Sequence, residues 1–254
     1  MTGASATSAA RWLRRFHPIP EEGPRLVCFP HAGGSASYYF KLSRVLHPSM
    51  EVVAVQYPGR QDRRTEPPVG DITRLADLVT DELRAAGPRP TILFGHSMGA
   101  VIAFETARRQ ERAGTGPLAL ITSGRRAPST TRSGAPLLHL VDDARIVDQL
   151  RALDGTHSQI LKDEQLLAMI LPALRSDYRA VETYTYVPGP PLRCPVLSLV
   201  GTDDPQATTD EVSAWAGHTD GPFTLRVFDG GHFYLDTHTD EIADVIRSTT
   251  GGMS

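Results

Sequence analysis

The chain has 254 residues, of which 40% are hydrophobic and 22% charged, with a formal net charge of -3. That length suits one α/β domain with room for an insertion, and the balance excludes both a disordered chain and one held to nucleic acid by bulk charge. No apolar run approaches the roughly 20 residues that a bilayer span requires, so a cytoplasmic protein with no membrane partner is expected.

Residues 1–10 are rich in Ala, Ser and Thr and lack the basic start and apolar stretch of a secretion signal, so they read as a loose tail. Apolar, β-branched runs at 26–29, 52–55, 91–94, 118–121 and 196–200 read as buried strands. A sixth run at 223–228 alternates more and reads as a strand near an edge. Between the second and third runs, Asp71 can cap a helix whose apolar side is Ile72, Leu75, Val79 and Leu83. Strands alternating with helical segments give a mostly parallel sheet covered by helices on both faces, an α/β fold. Cys28 and Cys194 sit in no CxxC or metal spacing and read as small buried residues in a reducing compartment.

The alternation breaks between about 128 and 188, where helical signals take over. Asp142 and Asp143 can cap a helix through Ile146, Val147 and Leu150; Asp163 can open another through Leu166, Leu167, Ile170 and Leu174, with a kink or break expected at Pro172. The chain thus divides into a core of residues 1–128 and 188–254 and a helical insert, residues 129–187. The insert is either a lid over a site at the sheet's C-terminal edge or a satellite hairpin with its own small core.

Gly95-His96-Ser97-Met98-Gly99 follows the third strand and precedes a good helix opening, which is the strand, turn and helix context of a GxSxG nucleophile. Flanking glycines allow a strained serine whose hydroxyl is exposed, and aim the Met98 N–H at the same point. A serine needs a base, and the base an orienting carboxylate. Of nine histidines, His232 is the best base, in a flexible loop that leaves the sixth strand; His96, inside the nucleophile turn, is poorly placed for the role by the geometry of its neighbour. Asp204, in the loop after the fifth strand, completes the chain order Ser, Asp, His, with adjacent Asp203 as the competing acid. The glycine-rich loop after the first strand, residues 29–34, offers the Ala32 N–H as a second oxyanion donor. No phosphate-binding or metal-binding motif accompanies these residues, so no metal or cofactor is expected.

With those residues in place the chain resembles the type II thioesterases, the free-standing editing enzymes of modular polyketide and nonribosomal peptide synthases. The resemblance runs over nearly the whole length. It rests on Cys28-Phe29-Pro30-His31-Ala32-Gly33-Gly34, on Gln56-Tyr57-Pro58-Gly59-Arg60 with Arg63 and Glu66-Pro67, on the Ser97 turn, and on Gly230-Gly231-His232-Phe233. It implies an α/β-hydrolase fold with a helical lid, and hydrolysis of acyl groups from the phosphopantetheine arm of an acyl or peptidyl carrier protein. It also implies Ser97, His232 and Asp204 as the triad and the Ala32 and Met98 amides as the oxyanion hole. A monomer without nucleic-acid or membrane partners is expected. Tyr178, Tyr184 and Tyr186 either line the acyl chamber or pack within the lid; Arg60, Arg63 and Arg64 either meet a phosphate or an acidic carrier surface, or are solvated. The rival functions are an acyltransferase or small-ester hydrolase on this scaffold, and a binding module that has lost turnover.

Overall fold

The computed structural model describes residues 11–19, 23–132, 134, 136–153 and 163–251. The tail expected at 1–10 and parts of the insert, including residues 154–162, lie outside the described residues. In chain order the elements are β1 (Leu13–Arg15), β2 (Arg25–Phe29), α1 (Phe40–Leu46), β3 (Glu51–Val55), α2 (Ile72–Ala85), β4 (Thr91–His96), α3 (Met98–Arg112) and β5 (Ala119–Ser123). There follow α4 (Asp143–Ala152), α5 (Glu164–Thr183), β6 (Val196–Gly201), α6 (Thr209–Ser213), β7 (Phe223–Phe228) and α7 (Thr239–Gly251).

Seven strands form one sheet in the order β1-β3-β2-β4-β5-β6-β7. All neighbours are parallel except β1, which pairs antiparallel with β3 through Leu13 opposite Val55 and Arg15 opposite Val53. The central strands β2 to β6 are buried at every residue, which explains why apolar residues dominate their middles without alternation: a parallel sheet is covered on both faces. Within β2 the side chains divide by the period of two. Val27 and Phe29 join the core beneath α2 and α3, while Leu26 and Cys28 join the core beneath α1 and α7. Both cysteines are buried and free. Strand β7 ends the sheet and alternates in exposure, as its sequence suggested.

The caps fall where the sequence placed them. Asp71 accepts from the Arg74 N–H at 2.7 Å, Asp142 from the Arg145 N–H at 2.9 Å, and Asp163 from the amides of Gln165 and Leu166. Of the kink or break expected at Pro172, the break does not occur: α5 runs through the proline as one helix. The proline removes one donor near the middle of the helix, and the buried face formed by Ala173, Leu174, Asp177 and Ala180 holds the segment against the core in spite of that loss. Between β5 and β6, Ile146 and Leu150 of α4 pack on Leu174 of α5, with Tyr178 and Ala32 against them. The insert is therefore seated on the loop that follows β2. Among the described residues no helix is long and apolar enough to cross a membrane.

Candidate active site

Ser97 sits at the join of β4 and α3 with φ 55° and ψ -118°, a backbone conformation that non-glycine residues rarely adopt. Its N–H donates to the Ser123 carbonyl at 2.8 Å, and its carbonyl accepts from the Ala100 N–H at 3.0 Å, so both neighbouring elements hold the strained turn. The glycines are required by close approach. A Cβ on Gly95 would lie 2.2 Å from the Gly99 carbonyl oxygen, and one on Gly99 would lie 2.0 Å from the Phe29 carbonyl oxygen. The nucleophile turn is thus pressed directly against the end of β2.

His232 is carried by the loop after β7 and is buried. Its Nε2 lies 3.0 Å from the Ser97 Oγ, and its Nδ1 lies 2.9 Å from each oxygen of Asp204. With the proton on Nδ1 facing the carboxylate, Nε2 is free to accept from the serine hydroxyl. Asp204 is buried and takes a further bond from the Gln206 N–H at 2.8 Å, which fixes its plane. Asp203, the competing acid, is exposed and accepts from the Thr202 hydroxyl at 3.0 Å. Three distant segments of sequence therefore meet as alcohol, imidazole and carboxylate.

His96 is fully buried, its ring centroid 4.9 Å from that of His232. Burial, and then the neighbouring His232, hold its pKa well below the ordinary value, so it remains a neutral ring. Its Nδ1 lies 3.0 Å from the Ser123 hydroxyl, which in turn meets the Tyr234 hydroxyl. This buried chain backs the site from behind.

In the loop after β2, the Gly33 N–H donates to Asp177 Oδ2 at 2.8 Å and the Gly34 N–H to the His31 carbonyl at 2.9 Å. The Ala32 amide has no acceptor among the described residues. Met98 opens α3, where the first N–H groups of a helix lack intrahelical acceptors. A cavity of about 510 Å³ adjoins this loop and is lined by His31, Gly34, Tyr38, Leu42, Leu235 and Ile242.

Two of the three arginines singled out in the sequence are neither solvated nor free to meet a phosphate. Arg60 is buried, with Nη2 2.8 Å from Asp177 Oδ1 and Nη1 donating to the Gly34 carbonyl at 3.1 Å. Arg63 is buried over the Trp12 ring and donates to the Gln56 carbonyl and to both oxygens of Glu66. Only Arg64 is exposed. A guanidinium with five donors can be buried when carbonyls and carboxylates surround it; the partners of Arg60 come from remote parts of the chain, while Arg63 combines the nearby Gln56 and Glu66 with the remote Trp12 ring. The tyrosines pack. Tyr184 donates to Glu105 Oε1 at 2.9 Å, Tyr178 lies in the small core of the insert, and Tyr186 stands edge-on to His218. Sequence reasoning missed Asp177 and Gln56. Their signal was present: Asp177 is an acid at helical spacing on the apolar face of Ile170 and Leu174, and Gln56 opens the second marker string.

Residues 24–250 match the family model described as Thioesterase domain. The chain is 56% identical over 235 residues to the probable cadicidin biosynthesis thioesterase of Streptomyces griseus, covering 92% of this chain and 64% of that protein, so it spans less than two thirds of that relative. It is 50% identical to thioesterase PikA5 of Streptomyces venezuelae, covering 92% of this chain and 84% of that one. Among solved structures, the type II thioesterase BorB from the borrelidin biosynthetic cluster superimposes with a TM-score of 0.88 at 53% identity, covering 94% of this chain and 97% of that one. The chain therefore belongs to the thioesterase family and has the α/β-hydrolase fold, with type II thioesterases among its structural neighbours.

Proposed function

We propose that the protein is an editing thioesterase that hydrolyses acyl thioesters on the phosphopantetheine arm of an acyl or peptidyl carrier protein, clearing stalled or aberrant groups from a polyketide or nonribosomal peptide synthase. The observation that carries the reading is the unbroken contact of Ser97, His232 and Asp204 at hydrogen-bond distance, in a chain of the thioesterase family. The names of relatives and structural neighbours, which place them in biosynthetic clusters and, for the type II thioesterase YbtT, in the yersiniabactin NRPS/PKS pathway, support the carrier-bound substrate. The working form is a cytoplasmic monomer that needs no metal or cofactor.

In this reading the Ser97 oxygen attacks the thioester carbonyl carbon while His232 Nε2 takes the hydroxyl proton. The amides of Ala32 and Met98 receive the negative charge that develops on the carbonyl oxygen, and each such donor is worth roughly 10²–10³ in rate. The carbon–sulfur bond breaks, the pantetheine sulfur leaves with a proton from the imidazolium, and the acyl group remains on Ser97. Water, deprotonated by His232, then attacks the ester and releases the free acid. Asp204 keeps the imidazole in the useful tautomer throughout. Residues 129–187 act as the lid, seated through Leu174 and Asp177 on the loop that carries Ala32.

The test is release of free acid from an acylated carrier protein. The expected result is unloading by the wild type and none by Ser97→Ala of unchanged fold. A folded wild type that leaves the carrier loaded for hours overturns the proposal, and acyl transfer to an added amine or alcohol in preference to water would make the protein a transferase.

A further inference from the structure

Helix α5 belongs to the insert, yet its most buried polar side chain is spent on the core. Asp177 is fully buried, and each of its carboxylate oxygens has a directed partner: Oδ2 the Gly33 N–H at 2.8 Å and Oδ1 the Arg60 guanidinium at 2.8 Å. Arg60 continues the chain to the Gly34 carbonyl at 3.1 Å. Gln56 holds the next stretch, accepting from the Ala36 N–H at 2.8 Å and donating to the Arg60 carbonyl at 3.2 Å. Three side chains from two remote segments thus grip the backbone of residues 33, 34 and 36.

That grip reaches the Ala32 amide through covalent geometry. The Ala32 N–H shares a rigid trans peptide plane with the His31 carbonyl, and that carbonyl is bonded to the Gly34 N–H. Gly33, at φ +77°, lies between the two and is packed so closely that a Cβ there would stand 3.0 Å from Leu174 Cδ1. Fixing the Gly33 N–H and the Gly34 carbonyl therefore fixes the direction in which the Ala32 N–H points. Arg60 has a second task, because a lone carboxylate this close to a developing oxyanion would oppose the charge that the amide is there to receive, and the guanidinium neutralises it. Stability alone does not account for the pair, since apolar groups of similar size usually serve as well as a buried ion pair.

We infer that Asp177, with Arg60, is a positioning residue for the oxyanion loop, so that the inserted helix α5 is part of the catalytic machinery and not only its cover. This rests on the function proposed above. It assigns to the insert a direct influence on the rate of the chemical step, exerted through Gly33 and not through contact with substrate.

The experiment compares Asp177→Leu, which removes the acceptor, with the near-isosteric Asp177→Asn, which keeps one for the Gly33 N–H. Steady-state hydrolysis of a small acyl thioester gives kcat and KM, thermal unfolding gives stability, and the rate of Ser97 labelling by a fluorophosphonate reads the same oxyanion hole without a thioester. Asp177→Leu is expected to lose about 10–100-fold in kcat with KM within about twofold, as a transition-state contact should. Its labelling slows in step. Asp177→Asn is expected to keep most of the rate, and Arg60→Met combined with Asp177→Leu to lose little more than the worse single variant, because the two act as one unit. An Asp177→Leu protein that melts earlier but retains wild-type kcat and labelling rate overturns the inference and leaves the pair a structural one. A wild type that labels yet hydrolyses no thioester counts against the proposed function instead; slowed labelling of Asp177→Leu would then still support the inference, and unchanged labelling would overturn it.

Discussion

Gly99→Ala is the most exacting test of how the site is assembled. The added methyl would stand 2.0 Å from the Phe29 carbonyl oxygen, 2.6 Å from its carbonyl carbon and 2.8 Å from the Pro30 oxygen. All three are backbone atoms, so no side chain can rotate away, and relief requires α3 and the end of β2 to separate by at least about 1 Å, the distance from 2.0 Å to the 3.0 Å below which a Cβ essentially never stands. Met98 precedes Gly99, and Ala32 lies three residues beyond Phe29, so that separation spreads the two amides proposed to bind the oxyanion. Misplacement of about 1 Å costs on the order of 10²-fold in rate, or ~2.7 kcal/mol of barrier. Overpacking adds a further ~1–3 kcal/mol of lost stability. The assay is kcat for thioester hydrolysis with thermal unfolding measured in parallel, and Gly217→Ala, where nothing lies within 4 Å, is the control. A Gly99→Ala enzyme within about threefold of wild-type kcat would refute the claim that this contact sets the site.

Asp204→Asn should lower kcat by about 10⁴-fold while leaving the fold intact, because the wrong imidazole tautomer is then favoured. Asp203→Asn should be nearly silent, and equal losses in the two would reassign the orienting acid. Because burial depresses the His96 pKa, the unfolded chain gains a proton below pH ~6.5 that the folded chain refuses, so stability is fully present above that pH and falls as pH drops, by at most ~1.4 kcal/mol per unit. Urea unfolding of His96→Gln should therefore show a flatter decline from pH ~6.5 to pH ~5 than the wild type; parallel declines would contradict the assignment. Asp71→Ala should cost ~1 kcal/mol through loss of the α2 cap, read from the urea midpoint.

What could be read in advance follows from the range of the interactions. Strands β2 to β6 announced themselves because burial on both faces favours apolar residues at successive positions, and the Asp caps because their bonds span two or three residues. The Ser97 turn, Asp204 and His232 were legible for a related reason: a parallel sheet delivers the loops at its strand ends to one edge, so order along the chain maps onto proximity. Strand β1 was not legible, since Leu13-Arg14-Arg15 has neither length nor alternation and is made a strand by its pairing with β3. The fates of Arg60 and Arg63 were hidden for a different reason. Their burial depends on Asp177, 117 residues away, and on Trp12 beneath the second guanidinium, and no local pattern encodes either partner. A break at Pro172 is the one of the two expected outcomes that does not occur, since the packing of the buried face outweighs the local penalty.

The insert is fastened separately at its two roots. Where the chain leaves the sheet, the Ser129 hydroxyl meets His218 Nε2 at 2.9 Å and Arg132 forms a fork with Glu211. Where it returns, Tyr184 bonds to Glu105 and Arg108 holds the Val187 carbonyl. Each root is tied to a different helix, α6 at departure and α3 at return, so the two ends of the insert are held in place independently of each other. With α5 held to the loop after β2 through Leu174 and Asp177, the part of the insert ahead of α5 is the place where this scaffold can change its length and its lining to suit a different cargo.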